Sequence, residues 1–211
     1  MEVNSFKALN ESENCGIFKT EDLIKMGFSK PTIAKYCNKG YLKKVSHGIY
    51  ITPNAIEDNL YIMTLISNKI IVSHENALYL NGLSERTPFS YTVTMSDGSK
   101  LPSSLKDNTK CFYVSKKNIN LGLEKRKTIF GNEVPCYNAE RTICDLVRSR
   151  NKSDNETLIM AIKNYAAYQN KDLNRLYKYA KTFKVYKIIK QYLEVLLWTQ
   201  KRCNSNKESE I

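Results

Sequence analysis

The chain has little of what most enzymes and metalloproteins are built from. Its 211 residues include two histidines, His47 and His74, and six cysteines (Cys15, Cys37, Cys111, Cys136, Cys144 and Cys203) with no CxxC pair among them. Structural zinc is usually held by two closely spaced ligand pairs, so no metal site is expected. No P-loop GxxxxGKS/T and no GxGxxG occurs, so the common phosphate-cradling loops are missing. No acid is followed two positions on by lysine, the pair that a restriction-type nuclease sets around magnesium. Gly98-Ser99 could open a nucleotidyltransferase site, but Asp107 is followed two positions on by Thr109, so the D-x-D metal pair is lacking. No catalytic residue and no cofactor are assigned. No apolar run approaches the roughly 18–20 residues of a membrane span. Met1-Glu2-Val3-Asn4-Ser5 lacks the basic-then-apolar pattern of a secretory signal. The expectation is a cytoplasmic protein with reduced thiols and no membrane partner.

Positive charge is abundant. Lys and Arg number 33 against 21 Asp and Glu, a formal net charge of +12. Residues 163–211 hold 11 basic and 4 acidic groups, and from Leu23 to Ile56 there are six lysines and no acid. Like charge gathered on a short segment calls either for a polyanion or for a well-solvated face. A hydrophobic fraction of 42% supports a real core.

Local signals in the first 55 residues predict a winged helix-turn-helix. Phe6 and Leu9 suggest a helix over about 2–13, and Cys15 to Phe18 is extended. Thr20 can cap a helix whose first turn holds Glu21 and Asp22, and Gly27 ends it. Ser29 caps a second helix, with Pro31 in its first turn and Gly40 as its stop. Ile33, Ala34 and Cys37 are expected to be buried, with Thr32, Lys35, Asn38 and Lys39 facing away. Tyr41 to Val45 and Ile49 to Thr52 form a hairpin about Ser46-His47-Gly48. In a helix-turn-helix the second helix enters the major groove. The expected DNA-facing set is Ser29, Lys30, Thr32, Lys35, Tyr36 and Lys39 on that helix, with Lys43, Lys44 and His47 at the hairpin. The same outline could serve a protein contact instead.

Residues 56–200 read as a larger α+β domain with a mostly antiparallel sheet and C-terminal helices, followed by a polar tail over 201–211. Helices are expected over about 56–68, from Ser73 to Leu80, from Asn138, from Glu156 onward and over about 184–198. Strands are expected at Tyr91–Met95 and Cys111–Val114, with Ile70–Val72 a buried strand or a helix entry and a hairpin about Gly131-Asn132. Two polar constellations stand out. Ser73-His74-Glu75 opens a helix, and Arg141 and Asp145 lie four apart on one helical face. The latter pair is either internal or, with Ser73 and His74, a polar surface for a partner. Lys171, Arg175, Lys178, Lys181, Lys184, Lys187 and Lys190 recur every three or four residues and make a basic face for nucleic acid, an acidic protein or solvent.

Taken together, Gly16-Ile17-Phe18-x-Thr20-x-x-Leu23, Gly27-Phe28-Ser29-x-x-Thr32-Ile33 and Gly40-Tyr41-Leu42-x-x-Val45-x-x-Gly48-Ile49-Tyr50 resemble the AbiEi antitoxin family of type IV, abortive-infection toxin–antitoxin systems. Ser73-x-x-x-Ala77-Leu78-x-x-x-Gly82-Leu83 and Glu140-Arg141-Thr142-Ile143-x-Asp145 resemble its C-terminal region. The resemblance implies a repressor that binds double-stranded promoter DNA through the winged helix. It also implies that the C-terminal domain counteracts a nucleotidyltransferase toxin. The rival expectations are a divergent winged-helix-guided nuclease, dependent on Asp97 or Glu133, and a winged-helix adaptor that binds protein.

Overall fold

The structure is a computed structural model and describes residues 15–152 and 155–194. The helix expected over 2–13 and the tail over 201–211 lie outside these residues. Ile17–Lys19 form strand β1, followed by helices α1 (Thr20–Lys25) and α2 (Lys30–Asn38) and strands β2 (Lys43–Ser46) and β3 (Ile49–Ile51). Both helices close with the same device. At the end of α1, Gly27 adopts φ 91, and the N–H of Phe28 bonds the carbonyl of Leu23 at 2.9 Å. At the end of α2, Gly40 adopts φ 75, and the N–H of Tyr41 bonds the carbonyl of Tyr36 at 2.9 Å. Glycine fits because a Cβ disfavours the left-handed region. Ser29 caps α2, accepting the Thr32 N–H at 3.3 Å. Thr20 is not a cap. Helix α1 already includes it, Asp22 accepts the Lys19 N–H at 3.1 Å, and the Thr20 hydroxyl donates to the carbonyl of Gly48 at 3.2 Å.

Phe18, Leu23, Phe28, Ile33, Tyr36 and Leu42 form the core of this unit. The buried stripe of α2 is therefore Ile33 and Tyr36, with Cys37 half-buried and Ala34 exposed. The phenol ring wins the inward place because it buries far more apolar area than a methyl group. The three strands pair antiparallel in the order β1-β3-β2, with a bulge at Val45. One face of this sheet lies on the helices through Phe18 and Tyr50. The other packs Ile17 and Ile49 against Ile62 of the next helix, α3 (Asn59–Ile66).

Helix α3 is shorter than the sequence pattern suggests, because Asp58 caps it by accepting the Tyr61 N–H at 3.2 Å. The other Asp58 oxygen accepts from the Thr128 hydroxyl and from Asn132 Nδ2, tying the 128–132 turn to the start of α3. The remaining elements are β4 (Ile71–Val72), α4 (His74–Leu80), β5 (Tyr91–Ser96), β6 (Thr109–Val114), β7 (Leu123–Lys127), β8 (Glu133–Tyr137), α5 (Ala139–Arg148), α6 (Asn155–Ala167) and α7 (Leu173–Thr182), then a helix α8 over 186–194. The five-stranded sheet has the order β6-β5-β4-β8-β7. Its β4–β5 and β7–β8 pairs are antiparallel, and its β5–β6 and β4–β8 pairs are parallel. Across the two sheets antiparallel pairing predominates, and the fold is mixed α+β. Met63 of α3 joins Ile70, Val93 and Met95 in one cluster. Helices α4 to α8 close around Leu78, Ile143, Leu146, Val147, Ile162, Tyr165, Leu176 and Ile189, reaching the sheet at Val114. Among the described residues no helix is long and apolar enough to cross a membrane.

Candidate nucleic-acid interface and a buried polar centre

The outward side of α2 carries Ser29, Lys30, Lys35, Asn38 and Lys39, all exposed, with Thr32 half-buried. Ser29 and Thr32 are engaged with one another, their hydroxyl oxygens 2.8 Å apart, so the cap also orients the first turn. Lys39 Nζ lies 6.0 Å from the centroid of the exposed Tyr41 ring. His47 is exposed at the hairpin tip. Tyr36 departs from the expected set. It is 3% exposed, in edge contact with Phe28 and Tyr41 at 5.4 and 5.6 Å between ring centroids, and cannot reach a groove.

The pleat also divides the two hairpin lysines. Successive strand residues point to opposite faces. Lys44 stands opposite Tyr50, on the helix side, and its charge is felt by the Cys37 thiol of α2. Burial raises that thiol's pKa, and Lys44 opposes the rise. Lys43 stands opposite Ile51, on the other side, where it pairs with Glu57 at 3.5 Å. Both of these groups are well exposed, so the pair contributes little. It does, however, turn Lys43 away from the α2 cations. Sequence alternation alone could have made this distinction.

Ser73, His74, Arg141 and Asp145 form no surface, since all four are at most 1% exposed. Asn138 caps α5 by accepting the Arg141 N–H at 3.0 Å. The Arg141 guanidinium lies between the rings of Tyr137 and Phe183, 4.1 and 4.2 Å from their centroids. Its Nε donates to Asp145 Oδ2 at 2.8 Å, and Nη1 donates to the carbonyls of Asn118 and Leu121 at 2.9 and 2.7 Å. Arg148 reaches the other Asp145 oxygen at 3.8 Å. Burial raises the Asp145 carboxyl above the ordinary range, and the two guanidiniums pull it down. This is the internal pairing: Nε and Nη1 are hydrogen-bonded, while Arg141 Nη2 and Asp145 Oδ1 are buried with no hydrogen-bond partner among the described residues. The adjacent Glu140 is internal too. It accepts from the Tyr165 hydroxyl at 3.2 Å and the Asp172 N–H at 3.1 Å.

Ser73 does not cap α4 through its side chain. Thr94 donates to Ser73 Oγ at 2.8 Å, and Ser73 Oγ lies 2.9 Å from His74 Nδ1. With the Ser73 proton given to Nδ1, a neutral ring carries its own proton on Nε2, which has no partner among the described residues. The His74 ring stacks on Phe112, 3.5 Å between centroids, and its backbone sits at φ 48. Burial, then Arg148 and Arg141, lower its pKa to about 3. Among the described residues no group of three or more His, Cys, Asp or Glu is gathered for a metal.

On the C-terminal helices, Lys178, Lys181, Lys184, Lys187 and Lys190 are exposed. Lys190 pairs with Glu194 at 3.5 Å, and Arg175 is drawn to Asp172, Glu140 and Glu124 at 3.3, 3.7 and 3.8 Å. Lys171 is half-buried and donates to the carbonyl of Tyr168. The basic face is therefore carried chiefly by Lys178, Lys181, Lys184 and Lys187, beside the Tyr177–Tyr186 edge contact at 5.4 Å.

No family model matches the chain, and no curated protein matches it. Among solved structures, the RV2827C protein from Mycobacterium tuberculosis superposes with a TM-score of 0.66 at 13% identity, covering 90% of this chain and 75% of that one. At this identity the likeness concerns the fold alone.

Proposed function

We propose that the chain is a DNA-binding transcriptional repressor and antitoxin of a type IV toxin–antitoxin system. Residues 1–55 act as a winged helix-turn-helix, and residues 56–200 act as the domain that counteracts a nucleotidyltransferase toxin. The protein works in the cytoplasm, without a cofactor and without catalysis of its own. One observation carries the reading: a capped helix that exposes Lys30, Lys35 and Lys39 adjoins a hairpin that turns Lys44 to the same helix and ends in exposed His47. The N-terminal half of α2 enters the major groove, where Lys30, Thr32 and Lys35 meet base edges, and Ser29 fixes the helix start. Lys44 and His47 flank the phosphates, adding affinity without sequence information.

A gel-shift titration on the DNA upstream of the gene tests this. Lys35→Ala weakens specific binding by about 1–3 kcal/mol, and Lys44→Ala reduces the salt slope by about 1. Lys43→Ala, held off by Glu57, changes binding less. Unchanged affinity in both the Lys35 and Lys44 variants would overturn the assignment. The antitoxin half is tested by co-expression with a nucleotidyltransferase encoded beside it. Exposed Ile24 on α1 and Met26 just after it favour a second reading, in which the same unit binds protein. That reading predicts DNA affinity no greater than non-specific binding at any salt concentration.

A further inference from the structure

Strand β6 is the outer strand of the five-stranded sheet. The N–H of Tyr91 bonds the carbonyl of Asn108 at 3.0 Å, and the N–H of Asp97 bonds the carbonyl of Val114 at 2.8 Å. Between them the strands run parallel, from Tyr91 beside Thr109 to Ser96 beside Val114. In a strand the N–H and C=O of one residue point to the same side, and the side alternates along the chain. The even-numbered residues of β6 therefore face β5. Thr109, Cys111 and Tyr113 turn their backbone groups outward, and among the described residues nothing bonds them.

The two edges of this sheet differ. Strand β7 carries Lys125, Arg126 and Lys127, the kind of charge that guards an edge against pairing. Strand β6 has Lys110 alone, no proline, and an uninterrupted register. The charged residues flanking the strand are Lys106 and Asp107 before it and Lys116 and Lys117 after it, so the strand itself is the lightly charged stretch of this edge.

We propose that β6 is a homodimer interface, to which the β6 of a second copy adds antiparallel about a two-fold axis at Cys111. This register sets Cys111 against the second copy's Cys111, and Thr109 against the second copy's Tyr113. Every outward N–H and C=O of the strand is then bonded. Moving the axis to Phe112 leaves Thr109 opposite Ser115, beyond the end of β6. The strand thus complements itself best in one register, and a two-fold pair closes without leaving an open end. Tyr113, 45% exposed, gains a β-branched cross-strand neighbour, a favourable pairing.

Light scattering after size exclusion on the full chain reads the outcome as mass, apart from any DNA binding. The native chain in the high micromolar range gives twice the 24.3 kDa of one chain. Thr109→Asp combined with Tyr113→Asp places like charges opposite each other and shifts the mass to that of one chain. Thr109→Asp combined with Tyr113→Lys places opposite charges there and keeps the double mass. If the like-charge variant fails to fold, Cys111→Pro removes an outward N–H, which an edge strand tolerates, along with a half-buried thiol, and gives single chains. A single-chain mass for the native protein, or a double mass for the folded like-charge or proline variant, overturns the proposal.

Discussion

Lowering the pH perturbs one group in this fold above others, the imidazole of His74. Ser73, Thr94, Phe112, Arg141 and Arg148 surround it, and its pKa of about 3 compares with an ordinary 6.5. The folded ring stays neutral where the unfolded ring takes up a proton. Stability from this group is therefore complete above pH 6.5 and is lost as the pH falls toward 3. Each pH unit in that window costs about 1.4 kcal/mol, so about 2 kcal/mol is gone by about pH 5, with a ceiling of about 5 kcal/mol. That is a large part of the roughly 5–15 kcal/mol that holds a domain folded. Urea unfolding followed by circular dichroism, at pH values above and below 6.5, measures it. The matching variant is His74→Asn, because asparagine tolerates the left-handed backbone seen at φ 48 and does not titrate. The variant loses the ring stack on Phe112 and is less stable at neutral pH. Its stability falls by about 2 kcal/mol less than that of the native chain between neutral pH and about pH 5. Parallel pH profiles for the two proteins would refute the reasoning.

Two further substitutions probe the frame around this centre. Arg141→Ala leaves the Asp145 carboxylate buried with only the more distant Arg148, and frees the carbonyls of Asn118 and Leu121. The expected loss is about 3–5 kcal/mol in chemical denaturation, with a lowered melting point. Lys184 closes α7 at φ 59, in the place that glycine fills after α1 and α2. Lys184→Gly is expected to raise stability by about 1 kcal/mol in thermal unfolding.

The N-terminal unit was largely legible because its signals are local. Ser29, Pro31, Gly27 and Gly40 mark helix ends through their own conformational preferences, whatever lies around them. The side chains that choose between core and solvent were less legible. Tyr36 sits among polar neighbours and was placed outward, yet its ring completes the pocket shared by Phe28 and Leu42. The hairpin about Gly131-Asn132 is present, but its first strand lies earlier than expected, at Leu123–Lys127, because that stretch has almost no apolar residue and its pairing with β8 is a property of the partner strand. For Arg141 a signal was present. It pointed outward: Ala139, Ile143, Leu146 and Val147 gather on one side of α5 and Arg141, Asp145 and Arg148 on the other, so the burial of the charged side follows only from Tyr137, Phe183 and the 118–121 crossing closing over it. The burial of His74 had no local signal, since its neighbours Phe112 and Thr94 come from distant strands.

The grip of Arg141 on Asn118 and Leu121 reaches back 23 and 20 residues along the chain. At Gly122, φ is 77 and an added Cβ would stand 2.6 Å from Arg141 Cβ, so the crossing from β6 to β7 is moulded directly onto helix α5. That crossing has no ladder or helix of its own to hold it. Crossing and helix therefore depend on one another for these bonds, and the two should open and close as a single cooperative unit, with the outer strand β7 coupled to them.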